Sequence, residues 1–149
     1  MKIIIQRVSS ASITVDREVI ASSQAAGLLA LIGFGKNDTE DLLEQALNKI
    51  AALRIFSNDK GRFDLSLIDI CGDLTLVPQF TLYADTSKGR RPEFFNALNP
   101  NDAAILFEKM VVLAQKSLVK NKVHSGSFGA DMKVALTNDG PVTISIEVI

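Results

Sequence analysis

Two short strings carry most of the chemistry available to this chain: Pro78-Gln79-Phe80-Thr81-Leu82 in the middle and Asn138-Asp139-Gly140-Pro141-Val142-Thr143 near the end. In the first, a strand ends at Pro78, and Gln79 and Thr81 point to one side if the chain stays extended. Consecutive backbone N–H groups at such a bend can form an oxyanion hole. In the second, Asn-Asp-Gly is turn chemistry, because Gly accepts positive φ and Asn and Asp tolerate it. Pro141 then stands where the turn enters a β-branched strand; it cannot donate to a ladder, and the bond before it can be cis. A Gly-Pro pair of this kind presents two carbonyls as a stiff wall. Taken singly, each string also fits a plain alternative, a polar strand end and an ordinary hairpin turn.

Conventional catalytic sets are weaker. His124, the only histidine, lies in Val123-His124-Ser125-Gly126-Ser127-Phe128-Gly129 and could act as a general base. A loop histidine without a catalytic role fits as well. Cys71, the only cysteine, precedes Gly72 in apolar company and reads as a small buried hydrophobe. There is no Walker loop and no G-x-S-x-G elbow. Carboxylates are scattered, so no acid/base pair stands out. One His and one Cys argue against a zinc site, and no loop has the EF-hand pattern. No metal or other cofactor is expected.

The elements that must position these strings follow from periodicity. Lys2 to Val8 reads as a strand, and Ser12 to Val15 with Glu18 to Ala21 as a hairpin around Asp16-Arg17, where Arg17 is a poor residue for a tight primed turn. Leu28 to Phe34 is a continuous apolar run, expected as a buried strand. A helix follows with Leu42, Leu43, Ala46, Leu47, Ile50 and Leu53 at helical spacing, capped by Asp38 or Thr39. Ser57 to Gly61 reads as a turn, Arg62 to Ser66 as a short strand and Asp73 to Val77 as another, stopped by Pro78. Asn99 and Pro100 signpost a second helix, whose stripe is Ala103, Leu106, Phe107, Met110, Leu113, Ala114 and Leu118. Met132 to Thr137 and Val142 to Ile149 read as a final hairpin. This order predicts an α+β fold with helices against sheet, in a single domain over residues 1–149.

Composition narrows the function. At 47% hydrophobic and 22% charged, the chain is an ordinary globule with enough length for a real core. No apolar run is long enough to span a bilayer and the N-terminus lacks signal-peptide character, so no membrane partner is expected. A net charge of −1 argues against coating long DNA, which needs many phosphate contacts, but is compatible with gripping a short nucleic-acid end. The lone cysteine fits a reducing cytoplasm.

Taken together, the strings resemble the D-aminoacyl-tRNA deacylases of bacterial and eukaryotic type. The resemblance spans the chain: Ile5-Gln6-Arg7-Val8, Gln79-Phe80-Thr81-Leu82, Lys88-Gly89, Arg91-Pro92, Phe128-Gly129-Ala130-Asp131-Met132 and Asn138 to Thr143, in order and at matching spacing. It implies two packed, barrel-like β-sheets with two main helices against one face. It implies hydrolysis of the ester between a D-amino acid and the 3′-terminal adenosine of tRNA, and of glycine mischarged on tRNA-Ala. It implies a homodimer with sites at the interface, where a cis Gly140-Pro141 pair reaches into the partner's site as a chiral filter. Gln79, Phe80 and Thr81 would line the ester pocket, with the N–H groups of Gln79 and Phe80 as oxyanion donors. Arg7 would brace the Gly-Pro loop, and Lys88, Arg90 and Arg91 would meet phosphates of the tRNA end. The family favours help from the substrate's ribose 2′-OH over a protein nucleophile, and no base is evident to activate Thr81.

Two positions depart from the family pattern. Pro78 replaces a usual Ser, removing a hydroxyl and an N–H; a proline there also resembles a related animal class with relaxed chiral selectivity. Ser125 replaces a frequent Thr and keeps the hydroxyl. The alternatives are therefore an editing deacylase with relaxed selectivity, a catalytically silent module that binds the tRNA end, and a structural dimerising domain.

Overall fold

The computed structural model describes all 149 residues. The chain runs β1 (Lys2–Val15), β2 (Glu18–Ser23), β3 (Gly27–Gly33), α1 (Asp41–Ala52), β4 (Phe56–Ser57), β5 (Phe63–Leu65), α2 (Leu67–Ile70), β6 (Asp73–Pro78), a 3-10 turn (Phe80–Tyr83), α3 (Pro100–Ser117), β7 (Val123–Ser125) and β8 (Met132–Glu147). It is the expected α+β fold. A six-stranded mixed sheet runs β2-β1-β3-β6-β7, with β8 on β1; β4 and β5 form a separate small pair.

Long β1 makes the sheet barrel-like. Residues 2–8 pair with β3 and residues 11–15 with β2, while β8 runs antiparallel along nearly the whole strand. The inward side chains of β1 accordingly serve two cores. Ile3 and Ile5 join the large cluster with α1 and α3, and Val8, Ala11 and Ile13 join a smaller one with Leu29 and Val77. β3 is the apolar strand expected from its sequence. It is buried nearly throughout, antiparallel to β1 and parallel to β6, and strands covered on both faces need no polar alternation.

The sheet is tied at its far seam by polar groups. Asp73 Oδ2 accepts from Ser23 Oγ at 2.6 Å and lies 3.0 Å from His124 Nε2, linking β2, β6 and β7. Burial of Asp73 raises its pKa, but the Ser23 and His124 hydrogen bonds and nearby Lys122 outweigh that and hold the carboxyl below its ordinary range.

Several local expectations change. The expected C-terminal hairpin is one strand, β8, interrupted rather than reversed at Gly140-Pro141, because both halves pair with the same β1. Asp38 does not cap α1. Its carboxylate accepts from the Met1 ammonium (2.8 Å) and the Gly35 N–H (2.7 Å), and Glu40 takes the cap position without a side-chain bond. The stripe and cap of α3 are as expected, with Asn99 accepting from Asp102 N–H and Pro100 first in the helix. Asp16 and Arg17 both have positive φ, 49° and 72°, so the hairpin does make the primed turn for which Arg17 is ill suited. Cys71 is exposed, not buried: it closes α2 in the left-handed region with φ 50°.

Candidate active site

Beyond Pro78 the chain does not stay extended. The Gln79 N–H continues the β6 ladder by donating to Ile32 O (2.7 Å), and Phe80 to Tyr83 then coil into the 3-10 turn. Gln79 and Thr81 still share a side, since the Gln79 amide donates to Thr81 Oγ1. The Gln79 N–H is thus spent on β3 and cannot serve as an oxyanion donor. The Phe80 and Thr81 N–H groups open the turn, and the first N–H groups of a helical turn have no acceptor within it.

Beside the turn lies a cavity of about 460 Å³. Gln79 and Phe80 form one wall with Pro78. Ile32 comes from β3 and Phe34 from just beyond it, Phe94, Ala97, Leu98 and Asn99 contribute from the loop before α3, and Pro100 and Ala103 from its first turn. Phe128 and Gly129 close the far side. Phe80 meets Phe94 edge-on, with ring centroids 4.9 Å apart. The cavity is mostly apolar, with the Gln79 and Asn99 amides as its polar groups, a mix suited to a flat organic group held by few directed bonds. Thr81 is exposed and does not line it. Phe94 was not legible as a site residue, because it lies far from both strings; its signal is only an aromatic pair, Phe94-Phe95, ahead of the Asn99 cap. Phe128 and Gly129 belong to the Phe128-to-Met132 string, to which the sequence assigns no role.

Lys88, Arg90 and Arg91 sit on a loop pinched by mutual backbone bonds between Asp85 and Glu93 (2.7 and 3.0 Å). All three are exposed and form no salt bridge. The loop resumes directly at Phe94, which places its base at the cavity. The Ser87 backbone N–H holds the Asp85 carboxyl below its ordinary pKa and tightens the loop's start.

Gly140 and Pro141 lie elsewhere. On β1, Gln6 pairs with Thr143 and Val8 with Asn138, so Arg7 alone faces the four residues 139–142. The surplus residues bulge out, with Gly140 at φ 144° and a cis Gly140-Pro141 bond at the exposed tip. Arg7 fills the space beneath. It is buried, and donates from Nε to Asp139 O (2.8 Å) and from Nη1 to Ile55 O (2.6 Å). Its guanidinium also lies 3.5 Å from Asp139 Oδ2 and 5.4 Å from the Phe63 ring centroid. Asn138 spans the neck: Oδ1 accepts from Val142 N–H (2.7 Å), and Nδ2 donates to Val142 O (3.3 Å) and Thr143 Oγ1 (3.1 Å). By sequence alone Asn138 reads only as a turn residue.

His124, in β7, is hydrogen-bonded to Asp73 at the start of β6, and Asp73 also accepts from the Ser23 hydroxyl. The carboxylate sits between the two donors, so the trio is not wired to make Ser23 a nucleophile. No cluster of three potential metal-ligating side chains exists, and no helix is long and apolar enough to cross a membrane.

Comparison with known proteins accords with this geometry. A D-aminoacyl-tRNA deacylase of Thermosipho melanesiensis is 47% identical over 99% of this chain and 97% of its own length. One of Roseiflexus castenholzii is 50% identical over 99% and 92%. Among solved structures, one described as c-Myc DNA Unwinding Element Binding Protein superposes with a TM-score of 0.92 at 35% identity, covering 99% and 98% of the two chains. A probable eukaryotic D-amino acid tRNA deacylase shares the fold at TM-score 0.84 and 17% identity, covering 97% of each. The D-Tyr-tRNA(Tyr) deacylase family model matches residues 4–147, and the chain belongs to that family.

Proposed function

We propose that this protein hydrolyses D-aminoacyl-tRNA, with water cleaving the ester to release the free D-amino acid and restore the terminal hydroxyl of the tRNA. The observation that carries the reading is the cavity at Gln79 and Phe80, formed around a family string in a chain whose relatives bear that activity by name. The apolar walls accept the terminal nucleoside, and the Phe80 N–H is the donor for the developing oxyanion. Thr81 Oγ1 accepts from the Gln79 amide and is not read as a nucleophile; as the family resemblance favours, the substrate's 2′-OH assists the water. Lys88, Arg90 and Arg91 meet phosphates of the tRNA end, in the cytoplasm where charged tRNA is used.

The chiral filter in this reading comes from a second copy. Along the strands, Gln79 stands level with Lys2 and the Gly140-Pro141 tip level with Arg7. That is five residues, about 17 Å, along β1 and three strand spacings, about 14 Å, across the sheet. A chain's own tip is thus poorly placed to close its own cavity, whereas the exposed tip of a dimer partner can. Rigid carbonyls near the substrate Cα clash with an L side chain and tolerate hydrogen, so glycine esters, including glycyl-tRNA-Ala, pass as D-amino acids do.

The test is hydrolysis of matched D-, L- and glycyl-tRNA, with sedimentation for the oligomeric state. Cleavage of D and glycyl esters by a dimer, with L spared, is expected. Equal cleavage of D and L would favour the relaxed-selectivity reading, to which Pro78 at the cavity wall lends its weight. Binding of charged tRNA without turnover would mean a silent module. Duplex DNA binding, suggested by the name of one structural relative, is disfavoured by the net charge of −1.

A further inference from the structure

The turn that carries Phe80 rests on two glycines. β3 ends at Gly33, followed by Phe34 and Gly35. A Cβ on Gly33 would lie 2.9 Å from Gln79 O and 3.1 Å from Leu82 Cβ. A Cβ on Gly35 would lie 2.6 Å from Tyr83 Oη and 2.7 Å from Cζ. Neither glycine has a positive φ, so close approach, and not backbone freedom, is what excludes a side chain here.

The Tyr83 ring is confined from other directions too. Lys2 Nζ lies 4.9 Å from its centroid, a cation–π distance. Partial burial first, then the charges of Asp38 and Glu147, push the phenol up to about 12, so the ring stays neutral at any working pH. Asp38 is itself held on both carboxylate oxygens, which accept bonds from Met1 and from Gly35. Its side chain is 9% exposed. The bonds at the turn's two ends, Leu82 N–H to Gln79 O at 3.3 Å and Ala84 N–H to Thr81 O at 3.0 Å, lie within the turn. Such bonds shape the turn, and the Gln79 N–H ties its start to Ile32 O, but neither fixes its far end against the sheet; the bedded ring does.

We propose that Tyr83 is a positioning residue for the reaction: its ring, seated on Gly35 beside Asp38, sets where the turn holds the Phe80 N–H and the Gln79 side chain against the cavity. The inference rests on the cavity being the ester site. Tyr83 does not line the cavity, so it acts only through the turn. A donor displaced by about 1 Å can cost on the order of a hundredfold in rate, while ground-state binding by the cavity walls is little changed.

The experiment compares Tyr83→Leu, Tyr83→Phe, Gly35→Ala and the Tyr83→Leu/Gly35→Ala double variant. The readouts are single-turnover deacylation of D-aminoacyl-tRNA and amide exchange by NMR. Tyr83→Leu is expected to lower kcat by about tenfold or more with KM within about twofold. It should speed exchange at Ala84 by about tenfold and leave β1 and β3 unchanged. Tyr83→Phe, which keeps the ring, restores both. Gly35→Ala alone gives a similar kcat loss, and in the double variant adds little to Tyr83→Leu, as expected of two changes acting through one contact. Unchanged kcat in Tyr83→Leu, a rise in KM alone, or exchange quickened across the whole sheet would each overturn the proposal. Wild-type protein inert on D-aminoacyl-tRNA would overturn the proposed function; faster Ala84 exchange in Tyr83→Leu would then still show the brace, but as structure only.

Discussion

The Gly140-Pro141 bulge and the Phe80–Tyr83 turn both interrupt a strand, and they are held in opposite ways. Under the bulge, polar side chains reach out to main-chain groups: Arg7 to the carbonyls of Asp139 and Ile55, Asn138 to both ends of the neck. At the turn, main chain packs on main chain at Gly33, and one ring packs on Gly35. The bulge projects its tip into solvent and so needs directed bonds to keep a shape. The turn faces a cavity that it helps to build, and close packing suffices. Loss of a directed bond from a buried charge strands its partners, whereas a packed contact fails gradually.

The largest break in the comparison is expected at Arg7. Arg7→Ala leaves two carbonyls without their donor and should cost about 3 kcal/mol of stability. It should also cost D/L discrimination more than the rate on the D substrate. Urea unfolding and paired D/L assays check this; a loss below about 1 kcal/mol would mean that Asn138 alone holds the bulge. On the packed side, Phe94→Ala removes a cavity wall and the edge contact to Phe80. It should lower kcat/KM by about tenfold, mostly through KM, and cost about 1 kcal/mol. A larger stability loss than for Arg7→Ala would invert the ranking.

Asp73, at the seam away from both regions, supplies a pH control. Its folded pKa lies below its ordinary 3.8. It therefore contributes stability that is fully present above the unfolded value and lost as pH falls through the folded one. Stability of the wild type should fall below pH about 4, and Asp73→Asn should be weaker at neutral pH with a shallower acid slope. Equal acid slopes in thermal melts of the two proteins would remove this role. The smallest effect is expected at Thr81, exposed and outside the cavity: Thr81→Ala should keep deacylation within about threefold. Total loss with tRNA binding intact would make it a nucleophile and end the reading of the turn as a passive frame.

Much of this was legible in the chain itself. The apolar run of β3, the Asn99-Pro100 start of α3 and its stripe are local patterns, because a buried strand and a capped helix impose composition on neighbouring residues. The two strings and Arg7 also stood out by residue type and order. Other features rest on partners far away in sequence. Met132 to Glu147 looks like a hairpin until both halves are seen to pair with β1, since turn residues serve a bulge as well as a reversal. Asp38 looks like a cap until the Met1 ammonium and Gly35 claim it. Residue identity determined the fold class, the core elements and the family to which the chain belongs. Only the tertiary structure decided that the Gln79 N–H is spent on Ile32, that Phe94 walls the cavity, and that the Gly140-Pro141 tip stands apart from it. Hydrogen bonds and close contacts between segments are set by three-dimensional register, and no local pattern encodes that register.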